Sequence, residues 1–138
     1  MVSRRPRLSL ARAFMALAAG EPAAARAAVA ALGTDLDAAG DSFQPSAGPA
    51  ASLITNVPAA AAIARGWLAY LCGDARQMTE FAAQASARLH DGEWLLGSIC
   101  RLNLALADWV SGRLGNARQN LSAGVAGWRA AGQQAMAA

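Results

Sequence analysis

Three glycines, Gly20, Gly73 and Gly112, occupy the same place in three copies of one pattern, and that repetition limits what the 138-residue chain can fold into. Each copy is an apolar segment, a glycine turn and a second segment rich in Ala: Leu8–Gly20–Leu32, Pro58–Gly73–Leu89 and Leu95–Gly112–Trp128. With the glycines aligned, a small residue stands seven positions before each (Ala13, Gly66, Ala105) and a bulky one six before (Phe14, Trp67, Leu106). Leu17, Tyr70 and Trp109 stand three before. Ala28, Phe81 and Asn120 stand eight after, and Val29, Ala82 and Leu121 nine after. A bulky side chain beside a small one supplies a knob and a hole where two helices cross. A single hairpin of this kind leaves an apolar face that only a neighbouring hairpin can cover. The expected fold class is therefore all-α: antiparallel helical hairpins stacked in about three repeats. They are predicted over residues 7–32, 56–90 and 93–131 of one helical-repeat domain spanning 1–138.

Composition agrees with this pattern. Ala contributes 38 residues, while the β-branched types are sparse, so intrinsic propensity favours helix. Glycine ends the first helix of each pair because it takes the left-handed conformation without a Cβ penalty. The next helix then has a start signal: Pro22 near the first position, Asp74 as a cap, and Asn116 as a cap or first-turn residue. The glycines are 53 and 39 residues apart, and the extra length of the first interval reads as a loop over about 40–55. Asn56 is expected to cap the following helix, with Pro58 tolerated in its first turn. Gly132 reads as one more turn signal shortly before the last residue, Ala138, and neither end has the polar cap of a solenoid. A piece of a longer protein is expected.

The remaining features argue against most active chemistry. The net charge of +3 comes from 12 Arg with no Lys against 9 acidic residues, and the arginines are scattered instead of forming a stripe. Direct nucleic-acid binding by this segment is not expected. Cys72 and Cys100 lie in apolar helical patterns without metal-ligand spacing and are expected to be buried, reduced thiols of a cytoplasmic protein. His90 is the only histidine, and a lone imidazole at a helix end is a poor catalyst or metal ligand. The acids fall mainly at turns and helix starts; Asp108, inside an apolar helix, is expected to pair with Arg101 or Arg65 across the stack, the alternative being a polar contact inside a binding groove. No apolar run approaches the roughly 18–20 residues of a membrane span. The basic Ser3-Arg4-Arg5-Pro6-Arg7 start imitates an export signal. Arg12 breaks its apolar stretch, however, and the same pattern recurs deeper in the chain. Neither an enzyme nor a bound cofactor or metal is expected.

Two groups of residues carry a resemblance. Leu68-Ala69-Tyr70-Leu71-Cys72-Gly73-Asp74 is tetratricopeptide-like, which would make the stack a solenoid. Residues Phe43 to Ser52 followed by Asn56-Val57-Pro58-Ala59 resemble the linker of large LuxR-type ATP-dependent transcriptional regulators of the maltose-activator kind. Leu95 to Ser98, Leu104 to Gly112 and Trp128 to Gly132 are similar to their next repeat, so the likeness covers roughly residues 7–135. Met78 and the lack of a closing Pro depart from the tetratricopeptide pattern. In that family, resemblance implies an ATPase before the helical sensor and a helix-turn-helix after it. A phosphate loop needs a lysine that this chain lacks. The implied role is effector sensing and self-association; the alternative is a stand-alone adaptor that grips a protein partner.

Phe14, Trp67, Tyr70, Leu106 and Trp109 are the candidate binding residues. In tetratricopeptide-like stacks such positions line the concave surface, where a peptide helix, a small effector or another copy of the protein would lie. Ordinary packing competes with this role, because aromatic residues at helical spacing commonly fill cores.

Overall fold

The computed structural model describes residues 6–39, 56–90 and 93–137. The predicted loop at 40–55, the linker-like residues Phe43 to Ser52 and the basic start up to Arg5 lie outside the described residues. Six helices form three successive hairpins: α1 Pro6–Ala19 with α2 Pro22–Ala39, α3 Val57–Leu71 with α4 Ala75–Arg88, and α5 Trp94–Val110 with α6 Leu114–Ala137. Among the described residues there is no strand.

The three turns are built alike. Gly20, Gly73 and Gly112 have φ of 72°, 73° and 80°, the left-handed region where a side chain is strained. In the second turn the Gly73 N–H donates to the Tyr70 carbonyl at 3.0 Å and the Asp74 N–H to that of Ala69 at 2.9 Å. The third repeats this with Gly112 to Trp109 and Arg113 to Asp108. These paired bonds satisfy carbonyls that a helix end would otherwise leave without partners.

The hairpins lie side by side in chain order. Within each pair the two helices touch along their length, and each later leading helix touches both the leading and the second helix of the pair before it: α3 meets α1 and α2, and α5 meets α3 and α4. No comparable contact joins α2 to α4 or α4 to α6 among the described residues. Helix α3 thus has four neighbours, and its sequence fits that position. Val57 and every residue from Ala59 to Ala64 are at most 1 % exposed. A helix apolar on all sides must be enclosed, and alanines let four backbones come close at once.

Polar groups join the elements at one end of α3. The Asn56 side chain accepts from the Ala59 N–H at 3.1 Å and donates to the Arg88 carbonyl at 2.6 Å and to Glu93 Oε2 at 3.1 Å. One amide therefore caps α3 and ties it to the end of α4 and the start of α5.

Several expectations need correction. Helix α6 runs straight through Gly132 for 24 residues, so no turn follows there, and α2 continues past Leu32 to Ala39. Single glycines inside good helix formers cost only about 1 kcal/mol each, which long helices absorb. Cys72 is exposed and its sulfur accepts from Arg26 at 3.4 Å, because the cap position of α3 faces outward; only Cys100 is buried. No helix among the described residues is long and apolar enough to cross a membrane.

Candidate functional site

The third hairpin departs from the second at matched positions. Asp74 closes α3 with its N–H and opens α4 with its carboxylate, which accepts from the Gln77 N–H at 3.0 Å. Arg113 stands at that place in the third hairpin and has no capping oxygen. Its Nε donates instead to Asp108 Oδ1 at 2.7 Å, while Asn120 donates to Oδ2 at 3.0 Å. Asp108 replaces the buried Ala69 of the second hairpin, and Asn120 replaces Phe81. The Asp108 side chain is 12 % exposed, and a charge so enclosed needs such partners. The expected partners Arg101 and Arg65 are wrong: the glycine turn brings Arg113, five residues on, back over the helix end.

Small residues set the spacing of α5 and α6. A Cβ on Gly127 would meet Ser98 Oγ at 2.9 Å, and one on Gly124 would lie 3.5 Å from the Ser98 carbonyl. On its other side α5 fits the second hairpin. Asn103 donates to the Ile63 carbonyl at 3.2 Å, Cys100 to that of Ala82 at 3.4 Å, and Ala107 is buried in one cluster with Ala69 and Met78. Burial pushes the Cys100 thiol up from its usual range against the opposite pull of Arg101, so the group stays protonated as a donor.

The free side of this hairpin holds an open cavity of about 300 Å³, lined by Leu102, Ala105, Leu106, Trp109, Leu114, Ala117, Arg118 and Leu121. Apart from the Arg118 guanidinium the lining is aliphatic or aromatic, so it can take an apolar surface with one polar or anionic contact at its edge. Of the eleven exposed large apolar residues among the described ones, nine belong to α5 and α6, so the exposed apolar surface is concentrated on one hairpin. Trp94 and Trp128 meet edge to face at 5.8 Å elsewhere on the same pair.

The five sequence-predicted site residues divide between surroundings. Phe14 and Trp67 are half-buried and touch edge-on, with ring centroids 6.4 Å apart. Tyr70 and Leu106 pack against the Ala69, Met78 and Ala107 cluster. Leu106 and Trp109 both line the cavity, and Trp109 is 59 % exposed. Leu114, Ala117 and Arg118 were not anticipated there. Their signal lay in the register, because they follow Gly112 by two, five and six residues, on the same side as Leu121.

Alignment on the turn glycines explains why this surface is open. The cavity residues Leu102, Ala105, Trp109, Ala117 and Leu121 correspond to Ile63, Gly66, Tyr70, Met78 and Ala82 in the second hairpin, and to Leu10, Ala13, Leu17, Ala25 and Val29 in the first. In the first two hairpins all are buried except the half-buried Tyr70, and α3 or α5 packs on the hairpin that carries them. Among the described residues no further helix packs on the third. Among the described residues no three His, Cys, Asp or Glu side chains gather as metal ligands. No family model matches the chain, and no curated protein or solved structure matches it either.

Proposed function

We propose that this chain is a tetratricopeptide-like helical-repeat segment that binds an apolar helix or a small effector on the open face of α5 and α6, and that it is not itself a catalyst. The carrying observation is the apolar cavity around Trp109, at a register that accepts a helix twice elsewhere in the molecule. The order of helix contacts supports a solenoid, since each leading helix touches the pair before it. The linker-like sequence before Asn56 supports a larger setting: the sensor and self-association region of a LuxR-type ATP-dependent regulator of the maltose-activator kind, in the cytoplasm. ATP hydrolysis and DNA reading would then belong to other parts of that protein.

A synthetic peptide of residues 56–72, which carries α3 with its cap, tests the binding face. Titration into the chain is expected to change Trp109 fluorescence and to show a negative heat-capacity change from apolar burial. Trp109→Ala should abolish both signals. Saturable binding unaffected by Trp109→Ala would move the site elsewhere, and no binding of this or other amphipathic helices would sink the reading. The regulator setting is tested on the open reading frame: an ATPase phosphate loop upstream and a helix-turn-helix downstream support it, and stop codons close to both ends favour the stand-alone adaptor.

A further inference from the structure

Among the described residues the first hairpin exposes two large apolar side chains, Leu8 at 49 % and Met15 at 73 %. Their positions are informative. The stripe by which α5 meets the second hairpin is Leu96, Cys100, Asn103 and Ala107, all buried. Counted from the turn glycine, the same stripe in α3 is Val57, Ala61, Ala64 and Leu68. Its first three members are buried in one cluster with Leu10, Ala13 and Leu17, and Leu68 packs against that cluster. In α1 the corresponding described residues are Leu8, Ala11 and Met15, and all three are exposed. The molecule therefore has an open docking stripe at its first hairpin and an open seat at its last. Both stand in the register of the two junctions already made inside it.

We infer that two copies of this chain join head to tail, with α1 of one copy lying in the α5/α6 cavity of the next as α3 lies on the first hairpin and α5 on the second. The partner is a second copy because the chain itself carries the stripe that the seat fits. This junction rests on the repeat reading above and specifies its partner. The two surfaces differ, so the contact is heterologous. Each added copy leaves one stripe and one seat free, and growth continues as an open row unless the rotation closes a ring.

Sedimentation of the full chain over a concentration series is the test. The wild-type chain is expected to grow past a dimer as concentration rises. Met15→Glu removes the stripe and Trp109→Glu the seat, so each variant alone should stay monomeric with its helix content unchanged by circular dichroism. An equimolar mixture retains one good stripe and one good seat, and should form a dimer that grows no further. If either glutamate variant loses helix content, Met15→Gln and Leu102→Gln serve as the pair. A monomeric wild-type chain would overturn the junction, as would a single variant that still dimerises alone or a mixture that stays monomeric. Small-angle scattering of the Met15→Glu/Trp109→Glu double variant separates this from the reading beneath it. If the double variant matches three stacked hairpins while the mixture of the two single variants forms no dimer, the junction alone is overturned, whereas a curve that no such stack fits overturns both.

Discussion

The second and third hairpins have the same turn and the same register, yet one is closed on both sides and the other ends in an open apolar cavity. Ile63 and Leu102 stand ten residues before their glycines; Ile63 is 0 % exposed and Leu102 45 %. Neither residue type nor local helix geometry accounts for that. Helix α5 covers the second hairpin, and no described helix covers the third. Burial in such a stack is a property of the next unit along, so the last unit shows what the inner ones hide.

The sharpest way to break this comparison is to truncate both residues. Ile63→Ala should cost about 2–5 kcal/mol in chemical denaturation, because it opens a hole in a closed core. Leu102→Ala in the monomer should stay within about 0.5 kcal/mol, as exposed changes do. Equal costs would mean that the third hairpin is covered in solution. Next in size, Gly127→Val should lose about 1–3 kcal/mol through overpacking against Ser98. The Ser98→Ala change should recover part of that loss, and a double-mutant cycle measures how much. Asp108→Ala should cost about 1–3 kcal/mol, since Asn120 and Arg113 lose the acceptor that holds them at a largely buried position. A neutral result would mean that the third turn does not depend on the contacts of Asp108. Smallest, Asp74→Ala should cost about 1 kcal/mol through the lost cap on α4. The third hairpin has Arg113 at that place and no such cap to lose.

Much of the architecture was legible because it rests on local rules. The left-handed glycines, the Asn56 and Asp74 caps and the start of α2 at Pro22 all stand where the sequence put them, since each depends on a few adjacent residues. Helix ends without a strong stop were harder: Gly132 and Leu32 looked terminal, and the helices pass through both. Of the candidate site, Leu106 and Trp109 do line one cavity, while Phe14 and Trp67 pack on each other and Tyr70 sits against the Ala69 cluster. All five lie on first helices at repeat positions. Spacing identifies that row, but it does not say which members another helix covers.

By itself the sequence determined the hairpins, the shared register and the apolar character of every seat, because helix propensity, glycine turns and side-chain size act over a few residues. Tertiary structure decided what those equivalent positions became. It enclosed Ala59 to Ala64 among four helices, placed Asp108 with Arg113 and Asn120, and left Trp109 in the open. The physical reason is that water is removed from an apolar side chain only by a neighbour, and the neighbour comes from another part of the chain.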